Sequence, residues 1–321
     1  MPAKRTSNKI DLSGLIDRYG SEDKCSAYLE GLRWPEGVRC PRCDSDKLSR
    51  IVKRGQFDCD SCRYQFSVKV GTIFHDSKLK LSKWFLATFM ICEAKKGISA
   101  NQLGRTLGVS YKTAWYLCHR IRAAMKDAAP EPLRGTIEID ETLVGGKVRG
   151  KGKGYRSNKS IVIGAVERGG DVRLKVIKRQ NKRHMQTFVR SVVHEDAERL
   201  MTDEAYAYVG IGDANTTHET VHHKAEEWVR ADVHTNQIEG VWSLLKRSIV
   251  GSYHQLSAKH LPAYLDEVSF KYNNRDNVFL FRDTLIALLA SETMPYQELI
   301  REKVSDSTLA RRKRKAKEPT R

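Results

Sequence analysis

Three acidic residues stand where separate elements of the chain could bring their carboxylates together. Asp140 and Asp203 end the apolar runs 136–140 and 200–203, and Glu239 follows Asp203 after 35 intervening residues. Each of the three taken alone is equally well explained as a solvated acid. Carboxylates that converge from separate elements can hold paired divalent cations, which drive phosphoryl transfer. Because Mg²⁺ prefers such oxygen ligands, the three acids together indicate a magnesium site.

Four of the seven cysteines fall into two Cys-x-x-Cys pairs that are separated by fifteen residues. The four are Cys40, Cys43, Cys59 and Cys62. Two such pairs at this distance are typical of a tetrahedral four-thiolate site for one structural Zn²⁺. A redox dithiol is the alternative, although it would need only one pair. Since so short a segment has little core, we expect the metal to supply much of its stability.

Residues 98–121 have apolar positions at helical spacing, interrupted once at residues 107–110. Gly108 can end the first helix and Ser110 can cap the second. The pattern predicts a helix-turn-helix, in which the start of the second helix enters a DNA groove. The residues offered to that groove would be Tyr111, Lys112 and Thr113. An ordinary helical hairpin that packs for stability is the alternative.

The composition favours a polyanionic partner. The 321 residues include 57 Lys and Arg against 39 Asp and Glu, a net charge of +18. Nucleic acid is the leading candidate, because its phosphates attract such a charge. An anionic membrane surface would attract it too, but no basic amphipathic helix stands out. No apolar run is long enough to span a membrane and no secretory signal is present, so we expect a cytoplasmic protein.

Beyond a proline-containing linker at 129–132, the pattern changes from helices to strands. The predicted elements are strands at 136–144, 161–167 and 172–177, a helix at 181–193, a short strand ending at Asp203, and a helix carrying Glu239. By periodicity alone these elements predict only the α/β class. The basic loop 145–154 is glycine-rich but lacks the ending of a phosphate-binding loop. It could lie along a phosphate backbone or be no more than a hairpin connection.

Other polar residues near the acids have simpler interpretations. We expect Glu138 and Glu141, which flank Asp140 on its strand, to point to the opposite face and not to be ligands. We expect His234 to contact the site indirectly and Trp242 to lie in the core. A His-rich segment could hold a second metal, although DNA contact or surface polarity explains it as well; its residues are Asp213, His218, Glu219, His222 and His223.

With these motifs in place, the chain resembles bacterial and archaeal insertion-sequence transposases of the Asp-Asp-Glu class. The likeness is closest to the subgroup with an N-terminal zinc ribbon, and it covers roughly residues 25–285. The motifs that carry it lie at 40–43, 139–147, 202–206, 234–247 and 272–275. Their combination is specific, whereas no single motif is.

The resemblance implies an α/β fold with a ribonuclease-H-like mixed-sheet catalytic domain, preceded by a small zinc ribbon and a helix-turn-helix. The domains it implies are an N-terminal helical segment at 1–33, the ribbon at 34–70, the helix-turn-helix region at 71–130, the catalytic domain at 131–290 and a basic tail at 291–321. The tail includes the run 310–317, which is either a solvated end or a non-specific DNA arm.

The resemblance also implies a reaction and the residues that perform it. The protein would cleave element ends and join them to target DNA, with two Mg²⁺ or Mn²⁺ ions held by Asp140, Asp203 and Glu239. Relatives differ over whether an Asn or a Glu completes the set, so Asn236 is the alternative third ligand; we favour Glu239 for its charge and its distance from Asp203. Lys246 and Arg247 would hold DNA near the scissile phosphate, although Lys246 can also be read as a solvated helical lysine.

The implied partners are the terminal inverted repeats and the target DNA, bound by a homo-oligomer at the nucleoid without any membrane association. Two other functions remain open. One is a non-catalytic DNA-binding protein derived from a transposase, although such a protein has no need of three convergent carboxylates. The other is a ribonuclease-H-like nuclease that cuts without joining.

Overall fold

A helical unit occupies most of the N-terminal part of the molecule. The structure, a computed structural model, describes residues 9–146, 159–203, 217–221 and 234–301. The helices of this unit are α1 (Leu12–Tyr19), α2 (Glu22–Arg33), α3 (Leu81–Glu93), α4 (Ala100–Leu107) and α5 (Tyr111–Ala124). Helix α3 is apolar almost all round, and Trp84 and Phe85 are each 1% exposed because α3 lies at the centre of this core.

The first helix corrects an expectation from the sequence. The polarity of residues 1–20 predicts a loosely ordered segment, yet α1 begins at an N-cap, where the Asp11 Oδ1 accepts a hydrogen bond of 2.7 Å from the backbone N–H of Gly14. Leu15 is buried in the helical core. A cap and one buried apolar side chain therefore suffice to order a short polar helix that packs on its neighbours.

The turn between α4 and α5 confirms the helix-turn-helix pattern. Gly108 follows α4 with φ at 60°, the left-handed conformation that glycine adopts without strain. The Ser110 Oγ then accepts a hydrogen bond from the backbone N–H of Thr113 at the start of α5. Both turn residues therefore act as the sequence predicts.

The ribbon is a small three-stranded antiparallel sheet. Its strands are β1 (Leu48–Ile51), β2 (Gln56–Cys59) and β3 (Gln65–Phe66), in that order across the sheet. Phe57 and Phe66 stack with ring centroids 5.6 Å apart, and Trp34 meets both rings edge-on. This cluster is too small to stabilise a sheet of this length by itself, so the cysteines beside it matter for stability.

A five-stranded mixed sheet forms the second unit. Its elements are β4 (Thr136–Val144), β5 (Ser160–Glu167), β6 (Val172–Ile177), α6 (Lys182–Val192), β7 (Arg199–Asp203), β8 (Thr217–Val221), α7 (Asn236–Ser248) and α8 (Leu261–Asn273). The strand order is β6-β5-β4-β7-β8, with β4, β5 and β6 antiparallel and with β7 and β8 parallel to β4. The expected α/β class with a mixed sheet of the ribonuclease-H type is confirmed.

The two faces of this sheet carry different helices. Helix α6 covers one face, where Phe188 packs with Ile139 of β4. Helices α7 and α8 cover the other, where Trp242 and Leu265 pack with Val162 of β5. Side chains on β4 therefore point alternately toward α6 and toward α7.

The C-terminal helices return to the helical unit. They are α9 (Leu280–Ala290) and α10 (Tyr296–Ile300). Phe281, Leu285 and Leu288 of α9 belong to the same buried cluster as α3 and α5. The domain limits stay a prediction, but the helical core plainly uses residues from both ends of the chain. Within the described ranges, no helix has the length and apolar character needed to cross a bilayer.

Candidate active site

Asp140 and Asp203 lie next to each other on adjacent parallel strands. The pairing of β4 with β7 sets Glu138 opposite Met201, and the same register continued by two residues sets Asp140 beside Asp203. Parallel neighbours in register point to the same face and stand about 4.8 Å apart. The two carboxylates that the sequence singles out therefore lie side by side on one face of the sheet, on the neighbouring strands β4 and β7.

The electrostatics of this pair favour a cation. Burial, together with the nearby carboxylates of Glu141 and Asp203, raises the pKa of the Asp140 carboxyl to about 7. The Trp242 indole N–H, which donates to the Asp140 Oδ2 at 2.8 Å, acts in the opposite direction. A divalent cation would offset both the desolvation and the repulsion, so the donor set fits a hard metal ion.

Helix α7 can reach Asp140 because a glycine lies in its path. Gly164 of β5 pairs directly with Asp140. A Cβ at this position would stand 2.6 Å from Trp242 and 2.9 Å from Ile238, so any larger residue would push α7 away from the sheet. The glycine thus sets the distance between Trp242 and the carboxylate that it holds.

A buried carboxylate fixes the start of the same helix. The Glu138 Oε2 accepts hydrogen bonds from the backbone N–H groups of Gln237, at 2.7 Å, and Ile238, at 3.1 Å. Its Oε1 accepts from the Arg168 Nε at 2.8 Å and lies 3.3 Å from the His234 Nδ1. Glu138 is fully buried, so these partners satisfy a charge that water cannot reach.

The hydrogen bonds around Glu138 show that the expectation for this residue was wrong. They also show where His234 and Trp242 lie. Glu138 does not point away from Asp140: it lies two residues earlier on the strand, and both side chains meet α7. Strand alternation alone could have shown this. His234 contacts the site indirectly, as expected, and Trp242 lies in the core, but its hydrogen bond to Asp140 was not anticipated. No sequence signal identified Arg168.

Glu239 and Asn236 differ in their position on α7 relative to Trp242, the residue that donates to Asp140. Glu239 lies three residues before Trp242, so the two side chains share a helix face, whereas Asn236 lies six residues before Trp242. Both Glu239 and Asn236 are exposed. The Glu239 Oε1 lies 3.4 Å from the Thr235 Oγ1. Its place on the helix makes Glu239 the better candidate ligand, although its carboxylate rests against the first turn.

The three carboxylates do not form a closed cluster. Among the described residues, only the four cysteines bring three or more potential ligand atoms within 4.8 Å of one another. A site with two ions tolerates a wider set, because the ions themselves stand about 3.5–4 Å apart. Lys246, four residues after Trp242, shares a pocket with Thr142 and Leu143 at the end of β4 and is exposed there.

The four cysteines are placed as a tetrahedral metal site requires. The Sγ atoms of Cys40 and Cys62 are 3.7 Å apart, and those of Cys43 and Cys59 are 3.5 Å apart. Four sulfurs that each stand about 2.3 Å from one ion would be about 3.8 Å apart. The thiols therefore fit Zn²⁺, and Cys40 and Cys59 are buried while Cys43 is exposed.

Two family models match the chain and together cover more than half of it. A transposase zinc-ribbon domain matches residues 20–65, and an ISXO2-like transposase domain matches residues 132–273. Residues 132–273 therefore form an ISXO2-like transposase domain, and residues 20–65 a transposase zinc-ribbon domain. The resemblance on which the sequence analysis relied is thus confirmed. The matched ranges include the four cysteines in the first case, and Asp140, Asp203 and Glu239 in the second.

A relative and two solved structures complete the comparison. A protein of Halobacterium salinarum, described as an uncharacterized protein in transposable element ISH50, is 28% identical over 270 residues, 78% of this chain and 90% of its own length. The intasome of simian T-cell lymphotropic virus, in complex with a PP2A regulatory subunit, matches with a TM-score of 0.32 and 13% identity over 70% of this chain and 76% of its own. A pre-cleavage Mos1 transpososome matches with a TM-score of 0.25 and 10% identity over 63% and 77%. Likenesses this slight carry no argument about the function of the transposase.

The second helix of the helix-turn-helix is exposed only at its first turn. Tyr111 is 57% exposed, and Lys112 and Thr113 are also exposed, but from Ala114 onward α5 is surrounded by other helices. The Lys112 Nζ lies 4.6 Å from the centre of the Tyr296 ring in α10. The transposase could therefore insert the tip of α5 into a groove, but not its length.

The described part of the His-rich segment belongs to the sheet. His218 and Glu219 lie on β8, which the sequence did not predict because its polar residues hide the strand pattern. The His218 Nε2 is 2.9 Å from the Thr202 Oγ1, and Glu219 forms an ion pair with Arg199. The other proposed residues of this segment lie outside the described ranges; they are Asp213, His222 and His223.

Proposed function

We propose that this transposase cleaves the ends of its element and joins them to target DNA by two-metal-ion phosphoryl transfer. The observation that carries the proposal is the register of β4 and β7, which sets Asp140 beside Asp203 under the helix that bears Glu239. Membership of the transposase family supports it. A protein that only binds DNA would not need two partly buried acids that repel each other.

Each residue has a separate task in this proposal. Asp140 would contact both ions, and Asp203 and Glu239 would each hold one of them. The ions, Mg²⁺ or Mn²⁺, would supply an activated water or 3′-hydroxyl and would stabilise the leaving oxygen. Trp242 holds the Asp140 carboxylate in place through its N–H, so the ligand is oriented before any ion binds.

Charge near the scissile phosphate would come from Lys246. Its ammonium, exposed beside the end of β4, could contact a DNA phosphate without shielding the acids. The zinc ribbon and the tip of α5 would hold the terminal inverted repeats. Because two ends must be joined, we propose that the protein acts as a homo-oligomer on the nucleoid DNA of the cytoplasm.

Strand transfer on labelled element ends tests this function. Wild-type protein with Mg²⁺ should yield joined product, and Asp140→Asn should lower the yield about 100-fold or more while DNA binding persists. Glu195→Ala, which removes an exposed carboxylate next to the sheet, is the matched control and should stay active. Cleavage without joining would indicate a nuclease, and binding without cleavage would indicate a DNA-binding protein.

A thiol substitution identifies the third ligand. Mn²⁺ tolerates a thiolate better than the harder Mg²⁺ does, so a cysteine in a ligand position should restore activity with Mn²⁺ alone. We expect this rescue for Glu239→Cys and no such metal dependence for Asn236→Cys. If Mn²⁺ instead restores the activity of Asn236→Cys, and Glu239→Cys is as active as the wild type with Mg²⁺, then Asn236 and not Glu239 is the third ligand.

A further inference from the structure

A basic cleft lies beside the candidate active site, between α7 and the helical unit. It encloses about 430 Å³ and is lined by α7, the C-terminal end of α8 and the end of α3. Gly240 and Leu244 of α7 form one wall, and Gly240 immediately follows Glu239. The cleft and the candidate ligand Glu239 are therefore carried by the same helix.

The cleft has the charge of a phosphate-binding surface. Its cationic side chains are Lys9, Lys95, Arg247, Lys271 and Arg275, and Glu93 is the one carboxylate in its lining. Four of the cations have partners within the protein: Lys9 pairs with Glu93, Lys271 and Arg275 donate to backbone carbonyls, and the Arg247 Nε donates to the Ser243 carbonyl. Lys95, just after α3, and Arg247, on α7, are exposed and line the cleft from two different elements. Cations on different elements that line a groove favour a chain of phosphates over a single small anion.

Gly240 supplies a second, independent observation. It lies in the second turn of α7, where glycine costs stability relative to alanine. A Cβ built on Gly240 would meet no other atom of the described chain within 4 Å. Packing inside the protein therefore does not require this glycine. A missing side chain beside a basic groove is what the close approach of another backbone requires.

We infer that this cleft binds the phosphate backbone of the DNA, with Gly240 as the point of closest approach. The inference rests on the proposed function in one respect, namely that DNA is the substrate. It gives the transposase a DNA contact along α7 in addition to the tip of α5. It also explains why α7 carries Arg247 on the cleft side and Lys246 on the side of Asp140.

Salt-dependent binding of a fluorescently labelled mixed-sequence DNA duplex to the full zinc-loaded protein tests the cleft. The variant Lys95→Gln/Arg247→Gln removes two cations whose loss leaves no buried charge unpaired. Between about 50 and 200 mM NaCl, the slope of log Kd against log salt should fall by about 1.8, because each phosphate contact contributes about 0.9. The matched control is Lys182→Gln/Arg190→Gln on α6, which covers the opposite face of the sheet and should keep the wild-type slope.

A steric variant separates the cleft from general charge effects. Gly240→Gln fills the point of approach with a good helix former, so it should raise the melting temperature by about 2 °C while weakening DNA binding. Gly31→Gln, at a glycine of α2 with equally open surroundings, should raise stability and leave binding unchanged.

These experiments can contradict the DNA-binding role of the cleft without contradicting the proposed reaction, and the reverse. An unchanged salt slope in the Lys95/Arg247 variant, or an equal loss in the α6 control, would overturn the cleft whatever the strand-transfer result. The wild type could bind DNA, and the Lys95/Arg247 variant could show the expected smaller slope, while the wild type fails to cleave DNA with Mg²⁺ or Mn²⁺. That result would support DNA binding by the cleft and would contradict the proposed reaction. Unimpaired binding by Gly240→Gln would exclude close approach at α7.

Discussion

At the scale of single residues, Glu138 connects the sheet to the helix that carries Glu239. One oxygen of its carboxylate accepts hydrogen bonds from backbone N–H groups in the first turn of α7, and the other accepts a hydrogen bond from Arg168. A carboxylate near a helix N-terminus also interacts favourably with the helix dipole. The residue touches no proposed ligand, yet it determines where α7 begins relative to Asp140.

The substitution Glu138→Gln should destabilise the protein by about 3 kcal/mol, because it leaves the Arg168 charge without its buried partner. An amide group would also face the backbone donors of α7. Denaturant unfolding measures the loss, and Glu195→Gln, at an exposed position, should change it by less than about 0.5 kcal/mol. Wild-type stability of Glu138→Gln would show that the network does not hold α7.

His119 should make stability depend on pH. Burial lowers the pKa of its imidazole to about 3, with the neighbouring Arg122 and His260 charges adding to the effect. The unfolded chain takes up a proton near pH 6.5 while the folded chain does not. The contribution of His119 is therefore fully present above pH 6.5 and is lost as the pH falls toward 3.

The slope expected from this one proton is at most about 1.4 kcal/mol per pH unit. Unfolding measured by denaturant between pH 6.5 and 4.5 should show it in the wild type, and His119→Phe should flatten it. Phenylalanine keeps the ring that packs against Trp115 and Tyr264. Parallel pH profiles of the two proteins would show that His119 titrates normally in the folded state.

Single residues could be predicted from the sequence where the type of side chain limits the chemistry that it can perform, as it does for cysteine and aspartate. The cysteine spacing predicted four thiols that the structure brings together, and the two aspartates that the sequence singled out lie on neighbouring strands. Their role as metal ligands stays a prediction. Arg168 could not have been predicted, because an arginine after a strand gives no sign of which buried carboxylate it will meet.

At the scale of elements, the strands of the sheet were the most predictable parts. The bounds predicted for β4 and β6 agree with the structure, since both strands have long apolar or alternating patterns. Strand β8 and helix α1 were missed for the same reason. Both are short and polar, and each is ordered by contacts with neighbours rather than by its own pattern.

The ribbon depends on its metal more than any other element does. We expect one zinc ion per chain, and we expect chelation or Cys59→Ser to unfold residues 40–66 without unfolding the sheet. Hydrogen–deuterium exchange should rise across β1 and β2 and remain unchanged across β4 and β5. Cys25→Ser, at a buried cysteine outside the cluster, should keep the full zinc content. A metal-free ribbon that stays protected would contradict this expectation.

At the scale of the whole molecule, a buried ionic group joins the helical unit to the sheet unit. Arg122 of α5 and Glu267 of α8 are each 2% exposed or less, and their side chains are 2.6 Å apart. Lys271 binds the other oxygen of Glu267. Burial would raise the pKa of Glu267, but the two cations outweigh it and lower the pKa to about 2.

Removing this carboxylate should be costly because it leaves Arg122 buried and unpaired. Glu267→Gln should lose about 3–5 kcal/mol of stability at pH 7. The contribution of Glu267 is present above its unfolded pKa of 4.5 and declines as the pH falls toward 2, so the difference between the proteins should shrink in acid. Denaturant unfolding at pH 7 and pH 3 tests both statements, and equal differences at the two pH values would refute the second.

The net charge of the chain was readable from its composition, but the location of that charge was not. The cations of the basic cleft come from the N-terminal segment, α3, α7 and the end of α8, which only the tertiary fold brings together. Helical periodicity indicated where α7 lies in the sequence. Periodicity could not indicate which residues would lie opposite the side of α7 that faces away from the sheet.

Because α9 packs into the helical core, that core cannot finish folding until the C-terminal part of the chain has been synthesised. Phe281, Leu285 and Leu288 fill a core whose other members are almost all encoded before residue 126. A nascent chain that already contains the ribbon and the helix-turn-helix therefore still exposes apolar surface until the ribosome has made residue 288. Truncated products that stop after the sheet would leave that gap open, and they should be cleared by proteases rather than persist as inactive competitors for the element ends.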